Sequence, residues 1–455
     1  MTGERQENPG SAGTAKQGGD ATGGDPHGLR WAEASIWTER MVAALGNGVK
    51  GGKWFSLIDK TIRPTTLDLA WQRVARNKGA AGVDGQSIER FSHQAERYLA
   101  ELQVSLANGS YRPSPVKRVE IPKADGKTRP LGIPTVKDRI VQTALKMVIE
   151  PIFEVQFRPG SFGFRPGLGC KDALREVDRL LKAGYTHVVD ADLKSYFDTI
   201  PHDRLMALVA GSISDGRVLA LIDGFLQQEI MSEMARWQPT TGTPRRAEGA
   251  LNARRAVLSP LLANLYLHPL DVLMEQSGYR MVRYADDFVI LCASQAEAAA
   301  ALRQITAWTA ANGLTLHPDK TRIGDSAQPA QGFDFLGYRF EAGRRYVRDK
   351  SLRAFKDRVK ARTIRSRGDS LERIIADLNP LLRGWFGYFK HARPRLVRRL
   401  DQTIRRRLRA VLRKQDKRPS RGQSAADHQR WTNAFFTDHG LFTLYAAYED
   451  ARHPR

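Results

Sequence analysis

The sequence contains little cysteine and no long apolar run. Only Cys170 and Cys292 occur in 455 residues, which is too few for a disulfide framework and does not match the spacing of a zinc site. No stretch reaches the roughly 18 consecutive apolar residues that a membrane helix requires, and the N-terminus lacks the apolar segment of a signal peptide. These absences exclude disulfide-rich, zinc-ribbon and membrane-spanning classes. They predict a reducing, cytoplasmic location without a membrane partner.

Negative charge is also scarce. The chain has 72 Lys and Arg against 49 Asp and Glu, a formal charge of +23 and a pI near 10.2. Residues 341–455 hold 30 Lys and Arg against 12 Asp and Glu, and so carry +18 of that excess. Such an uneven excess indicates a polyanionic partner, with nucleic acid favoured over a merely solvated basic face.

The apolar pattern divides the chain into segments. Residues 1–28 are rich in Gly, contain almost no large apolar side chain and are predicted to be disordered. A helical pattern follows to residue 115. Residues 116–348 mix strands, near 187–192, 279–284 and 288–293, with helices near 203–229, 258–275 and 295–312. Residues 349–455 are helical and basic.

The tetrapeptide Tyr284–Asp287 lies between two apolar strand-like runs and predicts a hairpin with two adjacent carboxylates at its tip. Two carboxylates so close repel each other unless a cation neutralises them. Mg²⁺ prefers oxygen ligands of this kind, and a pair of such ions performs in-line nucleotidyl transfer. Taken alone, the tetrapeptide is equally compatible with a solvated turn.

A second strand supplies a third carboxylate, which favours a metal site over a solvated turn. The run Thr186–Asp198 reads as a strand that ends in Asp192 and continues into a turn. If the two strands lie side by side, Asp192, Asp286 and Asp287 converge on shared metal ions.

Further motifs follow in a fixed order: Trp71 with Asn77–Gly85, Ile121–Lys123, Thr128–Pro134, Ser161–Gly167, Asp192–Asp198, Leu258–Asn264, Tyr284–Asp287 and Phe333–Tyr338. This ordered set closely resembles reverse transcriptases, in particular those encoded by bacterial group II introns. The resemblance covers about residues 60–450. It implies an α+β fold: the fingers and palm of a right-hand polymerase with an antiparallel palm sheet, followed by an α-helical thumb or maturase domain. The implied domains are a helical extension of the fingers (29–115), fingers and palm (116–348) and thumb or maturase (349–455).

The resemblance also implies a metal site. Asp192 and Asp286 would hold two Mg²⁺ ions, with the carbonyl of Leu193 as a further ligand and Asp287 beside them. The family pattern Asp-Leu-x-x-x-Phe-Asp begins at Asp192, which sets Asp190 and Asp198 aside as metal ligands.

The remaining roles concern substrates. Lys123 and Arg129 would bind the triphosphate of a deoxynucleoside triphosphate, although an exposed basic hairpin would look the same. Phe197 would abut the sugar and exclude a 2′-hydroxyl, or serve as a core aromatic, or both. Lys320 resembles a lysine proposed to protonate the pyrophosphate. Contacts to the RNA template and DNA primer or target are implied for five residues: Ser259, Pro260, Asn264, Leu336 and Gly337.

Residues 369–450 resemble the maturase domain, which implies binding to intron RNA. The basic run from Arg393 to Lys414 offers arginines at helical spacings, and four are the candidates for RNA contact: Arg398, Arg399, Arg405 and Arg406. An aromatic cluster over Trp385–Phe389 is more typical of core packing than of base stacking.

One departure from the family keeps alternatives open. The family continues Gly-Thr-Pro with Gln-Gly and then Ala-Val-Leu-Ser-Pro. Here Gly242–Pro244 is followed by residues 245–255 before Ala256–Pro260. The missing glutamine contacts the incoming nucleotide in the family. The ordered motifs make an RNA-directed DNA polymerase and splicing maturase of a group II intron the leading hypothesis. The alternatives are a polymerase-impaired RNA-binding splicing cofactor and a reverse transcriptase of another element, such as a defence system.

Overall fold

The computed structural model describes residues 29–122, 128–232, 257–417 and 424–452 of the chain. Three sequence predictions lie outside these ranges: the disordered tail 1–28, the role of Lys123 and the extra residues 245–255. The side chain of Arg129 also lies outside the described part, although its backbone belongs to a strand.

The N-terminal region is helical. Its helices are α1 (Glu39–Asn47), α2 (Ile58–Thr61), α3 (Pro64–Arg76), α4 (Ile88–Ser92) and α5 (Ala95–Ala107). Pro64 at the start of α3 supplies a backbone angle that already suits a helix. Leu67, Ala70 and Val74 then fall on one face and are buried.

A three-stranded sheet follows. Strands β1 (Val116–Pro122) and β2 (Thr128–Ile133) form an antiparallel hairpin, and β4 (Ile230–Ser232) pairs parallel with β1. The long helix α6 (Val136–Glu154) comes next and packs against α3.

Pro151 does not end α6, although it removes a helical hydrogen bond to the carbonyl of Met147. The indole Nε1 of Trp37 donates to that carbonyl at 3.1 Å. The buried acceptor is therefore satisfied by a side chain from the N-terminal region, and the helix continues.

The central sheet is antiparallel and has the order β5-β6-β3-β7. Its strands are β3 (His187–Asp192), β5 (Arg280–Tyr284), β6 (Asp287–Cys292) and β7 (Arg322–Asp325). The accompanying helices are α7 (Cys170–Lys182), α8 (Tyr196–Thr199), α9 (His202–Ser212), α10 (Gly216–Leu226), α11 (Ser259–Gln276) and α12 (Gln295–Ala311).

The two faces of this sheet enter different cores. Val189 and Ile290 belong to a cluster shared with α6, α11 and α12. Val188 and Leu291, one residue along each strand, belong to a second cluster with α7 and the C-terminal helices. Because side chains alternate between the faces of a strand, both faces of the sheet are covered.

The C-terminal region begins with a small antiparallel sheet of order β10-β9-β8: β8 (Phe333–Phe335), β9 (Tyr338–Glu341) and β10 (Arg344–Val347). Six helices follow among the described residues: α13 (Asp349–Arg362), α14 (Leu371–Phe389), α15 (Pro394–Gln415), α16 (Ala425–Arg430), α17 (Asn433–Asp438) and α18 (Leu444–Arg452). Trp385 and Phe389 are buried in the second core, as the helical spacing of this aromatic cluster predicts.

The expected α+β class is confirmed. The strands near 187–192, 279–284 and 288–293 correspond to β3, β5 and β6, and the helices near 258–275 and 295–312 correspond to α11 and α12. In the described part of the chain, no helix has the length and apolar character needed to cross a membrane.

Candidate active site

The strand ends bring the predicted aspartates together. Asp192, the last residue of β3, lies opposite Asp287, the first residue of β6. Tyr284 of β5 pairs with the same Asp287, which leaves Ala285 and Asp286 as a two-residue hairpin turn. Ala285 has φ of 60°, as tight hairpin turns of this length require.

The three aspartates open into one polar cavity of about 500 Å³. Its other lining groups are three further carboxylates, four cationic side chains and a tight turn: Asp190, Asp319, Asp334, Lys320, Arg322, Arg348, Lys350, Leu336 and Gly337. The predicted catalytic aspartates, Lys320 and the Leu336–Gly337 turn therefore share one site, although they come from distant parts of the chain.

This concentration of negative charge perturbs the carboxyl groups. Burial, together with the charges of Asp190, Asp192 and Asp286, raises the pKa of Asp287 to about 7. Burial also raises the pKa of Asp190 to about 6, against the opposing effect of Arg322. Mutual repulsion of this kind is relieved when a cation binds.

Cationic side chains already neutralise part of this charge. Lys320 Nζ lies 2.5 Å from Asp192 Oδ2. Arg322 Nε lies 3.5 Å from Asp190 Oδ2, and Arg348 Nε lies 2.9 Å from Asp334 Oδ2.

The carboxylate oxygens that line the cavity fit divalent metal ions, because hard cations such as Mg²⁺ prefer oxygen ligands. Within the described residues, no three His, Cys, Asp or Glu side chains are already arranged to hold one ion. Lys320 instead engages Asp192, so metal binding there requires the ammonium group to move aside.

A buried arginine, Arg283, supports the β5–β6 hairpin. Arg283 has no exposed surface, and it donates to both carboxylate oxygens of Asp271 at 2.7 and 2.5 Å. It also donates to Asn264 Oδ1 at 2.9 Å, to the carbonyl of Ala285 at 3.0 Å and to Ser161 Oγ at 2.7 Å. Burial tends to lower the pKa of Arg283, but the pairing with Asp271 outweighs it and raises the pKa.

The placement of Asn264 differs from the expected contact with primer or template. Its side chain is 2% exposed. Its amide nitrogen donates to the carbonyl of Gly163 at 2.6 Å, and its oxygen accepts from Arg283. Because both ends of the amide are used inside the protein, Asn264 supports the hairpin, and a contact with primer or template stays a prediction. Ser259 is likewise buried at the start of α11, beside half-buried Pro260.

The Leu336–Gly337 turn is held by the C-terminal region. Leu336 and Gly337 have φ of 47° and 81°. Tyr388 of α14 donates its hydroxyl to the carbonyl of Leu336 at 2.7 Å, and the amide of Arg348 donates to the carbonyl of Gly337 at 3.0 Å. The turn is thereby fixed beside the aspartates.

Phe197 lies in the first core, 8% exposed, with its ring edge-on to Tyr196 at 5.4 Å. This burial agrees with the core role and leaves the sugar-contacting role a prediction.

The four arginines predicted to contact RNA divide into two groups. Arg399 and Arg406 line a groove of about 450 Å³ between α13 and α15, together with Lys356. Arg398 is exposed and stacks over the ring of Tyr445 at 4.2 Å. Arg405 is only partly exposed, and burial lowers its pKa. Two neighbours in the same run face inward: Arg407 donates to Thr363 and Arg409 to the carbonyl of Trp431.

Five charged residues of the cavity have no functional role in the motifs of the sequence: Asp190, Asp319, Asp334, Arg348 and Lys350. The motifs set Asp190 aside as a ligand and assign no role to the other four. The one available signal was the alternation in β3, which puts Asp190 and Asp192 on the same face.

Comparisons with known proteins match two families. The model of the reverse transcriptase (RNA-dependent DNA polymerase) family matches residues 121–340, and that of the group II intron maturase-specific domain matches residues 352–431. Protein YkfC of Escherichia coli (strain K12) is 33% identical over 61% of this chain and 80% of its own length.

The group II intron-encoded protein LtrA of Lactococcus lactis subsp. cremoris is 36% identical over 46% of this chain. The match spans 33% of that relative's length, so the chain covers only about a third of it. Among solved structures, the partial Cas6-RT-Cas1–Cas2 complex is 23% identical over 55% of this chain and 41% of that chain, with a TM-score of 0.33. That structural similarity is too low to bear on function.

Proposed function

The chain belongs to the group II intron reverse transcriptase and maturase family, whose enzymatic class is RNA-directed DNA polymerase, and we propose that Asp192, Asp286 and Asp287 form its nucleotidyl-transfer site. In this proposal the chain copies an RNA template by extending a DNA primer with deoxynucleoside triphosphates.

The observation that supports this site most directly is the register of the central sheet. Asp192 ends β3 opposite Asp287, and Asp286 occupies the adjoining turn. Carboxylates from two distant segments thereby open into one cavity beside the Leu336–Gly337 turn.

The metal we propose is Mg²⁺, two ions of which would be held by Asp192 and Asp286 with the carbonyl of Leu193 and with Asp287. When bound, such ions lower the pKa of a primer 3′-hydroxyl and offset charge on the leaving pyrophosphate. Burial and the neighbouring carboxylates raise the pKa of Asp287 to about 7, so this carboxyl would have to lose a proton to serve as a ligand.

The other side chains bind and orient the substrates. Lys123 and Arg129 would hold the triphosphate, and Phe197 would border the sugar. Lys320 lies on the Asp192 side of the cavity, where its ammonium group could protonate the leaving pyrophosphate. The Leu336–Gly337 turn would hold the primer strand, with Ser259 and Pro260 supporting the start of α11 nearby.

The proposed macromolecular partner is intron RNA, bound by the C-terminal region in a bacterial cytoplasm. The support is the +18 charge of residues 341–455 and the groove lined by Lys356, Arg399 and Arg406. Phosphate groups suit such cationic grooves. The maturase-domain match favours an intron over another genetic element.

The decisive experiment is extension of a DNA primer on an RNA template with Mg²⁺. Asp192→Ala and Asp286→Ala are each expected to abolish extension, since no other side chain replaces a lost ligand. Asp198→Ala is the matched control, because Asp198 follows the same strand but does not line the cavity. Equal extension by wild type and Asp286→Ala would refute the assignment.

The alternative of a polymerase-impaired splicing cofactor rests on residues 245–255. It predicts that wild type binds intron RNA but extends primers no better than Asp286→Ala. Replacing residues 245–255 with Gln-Gly would then restore extension.

A further inference from the structure

Residues 160–162 extend the central sheet beyond β5. The amide of Phe162 donates to the carbonyl of Arg283 at 2.8 Å, and the amide of Arg283 donates to the carbonyl of Gly160 at 2.8 Å. Ser161 forms a parallel bridge with Arg283. The segment is thereby attached to the strand that leads directly into the Ala285–Asp286 turn.

Gly163 and Arg165, which follow this segment, are held by hydrogen bonds and close packing. The carbonyl of Gly163 accepts from Asn264, and a Cβ atom at Gly163 would lie 2.2 Å from the amide nitrogen of Ala285. The Arg165 guanidinium donates to Glu154 at 2.8 Å and to the carbonyl of Ser161 at 2.6 Å. Only glycine allows the segment to approach the catalytic turn so closely.

This rigid support presents an exposed phenylalanine. Phe164 lies between the two anchored residues, has φ of 61° and is 45% exposed. A bulky residue with positive φ is uncommon, and its backbone is strained. Its ring lies 6.4 Å from that of Tyr284, at 42°. Packing among the described residues does not explain an apolar ring that is held in a strained conformation with nearly half its surface exposed.

We propose that Phe164 and Tyr284 together form a platform that contacts the nucleotides of the terminal primer–template base pair. This inference rests on the proposed function and adds to it the surface that holds the duplex. The two nucleotides that are joined must meet at Asp286, and Tyr284 immediately precedes that turn. Aromatic side chains stack on every base, because each base has a π face.

The platform itself is uncharged. Neither ring carries a charge at neutral pH, and the Arg165 guanidinium beside them is occupied by Glu154 and two backbone carbonyls. The platform therefore recognises planar rings and not phosphates, and its contribution to binding depends little on salt.

The test is binding of a primer–template duplex without metal or nucleotide, so that no chemistry takes place. The duplex carries 2-aminopurine at the primer terminus or at the opposite template position. Fluorescence gives the dissociation constant and reports stacking on the labelled base. Wild type is compared with Phe164→Ala, Phe164→Gly and Phe164→Trp, and Phe55→Ala is the control, since Phe55 is 61% exposed and lies in the N-terminal region.

Phe164→Ala and Phe164→Gly are both expected to raise the dissociation constant at least about fivefold and to alter the fluorescence of at least one label. Phe164→Trp and Phe55→Ala stay within about twofold of wild type. Glycine accepts the positive φ freely, so equal losses in the two truncations assign the effect to the ring and not to the backbone.

Unchanged binding and fluorescence in both truncations would overturn the platform while leaving the polymerase assignment intact. A loss with alanine but not with glycine would also overturn it, because backbone strain would then be the cause. Failure of the polymerase assignment is recognised separately, by full extension activity in Asp286→Ala.

Discussion

Arg283 is completely buried, and a charge without water must find its partners in the protein. It joins Asp271 and Asn264 of α11, Ser161 and the carbonyl of Ala285. One side chain thus connects the Ala285–Asp286 turn to α11.

Replacing Arg283 with methionine is expected to lower the free energy of unfolding by about 3–5 kcal/mol, because Asp271 would remain buried without its counter-charge. Denaturant unfolding provides the measurement. The double variant Arg283→Met/Asp271→Leu is expected to recover part of the loss. Arg280→Met, at an exposed position on the same strand, is the control and is expected to change stability little.

If Arg283→Met and the control unfold at the same denaturant concentration, the buried network has no net role in stability.

The proposed contact of Phe197 with the sugar leads to a prediction about sugar selection. Phe197→Ala is expected to increase incorporation of ribonucleotides relative to deoxynucleotides by opening space beside the sugar. Because Phe197 is only 8% exposed, the truncation is also expected to destabilise the fold by about 3–5 kcal/mol. Single-nucleotide incorporation with each sugar measures the first effect, and thermal unfolding the second. Unchanged discrimination in a folded variant would assign Phe197 to the core alone.

The start of α6 illustrates how a helix end can depend on pH. The amide of Asp138 donates to Thr135, the cap residue, at 3.1 Å. The Asp138 carboxylate accepts from the Tyr111 hydroxyl at 2.5 Å and from the Ser114 amide at 3.2 Å. These bonds attach α6 to the segment before β1. Burial raises the pKa of Asp138 to about 6, more than its hydrogen bonds lower it.

The pKa of Asp138 is therefore higher in the folded than in the unfolded state, in which it is near 3.8. Between these values the folded state binds more protons, so the stability contributed by Asp138 is present below about pH 4 and lost as pH rises through about 6. Asp138→Asn is expected to remove this dependence. The stability of wild type relative to the variant should fall by at most about 1.4 kcal/mol per pH unit in that window.

Denaturant unfolding of both proteins at several pH values tests the prediction. A constant difference between pH 4.5 and 7 would show that Asp138 titrates at its ordinary value.

The entire chain is basic, but its charge is concentrated in the C-terminal helices. The structure separates the arginines of α15 into those that line the groove, Arg399 and Arg406, and those that bond internally, Arg407 and Arg409. The groove pair is exposed and can contact RNA phosphates, whereas the guanidinium groups of the inward pair are already bonded within the protein.

Neutralising Arg399 and Arg406 to glutamine is expected to flatten the dependence of RNA affinity on salt by roughly one unit of slope per lost phosphate contact. Primer extension on a generic template should fall less than intron RNA binding. The control is Arg175→Gln/Arg179→Gln on α7, since both arginines pair with acidic residues of their own helix. RNA dissociation constants across a salt series provide the measurement, and superimposable slopes for wild type and the groove variant would contradict an RNA footprint there.

Local pattern alone was sufficient for much of the architecture. The order of motifs pointed to Asp192, Asp286 and Asp287, whose catalytic role stays a prediction. Apolar runs located β3, β5 and β6, and helical spacing located α11 and α12. These inferences succeed because the spacing of side chains along a strand or helix is set by backbone geometry, which a short segment already specifies.

The groups around the aspartates were decided only by the tertiary structure. Lys320 reaches Asp192 across 128 positions of sequence, and Arg283 reaches Ser161 across 122. Asn264 and Arg409 look like surface polar residues in the sequence, yet each is buried by partners from other segments. A side chain's charge state and hydrogen bonds depend on which distant groups exclude water from it, and periodicity carries no information about that.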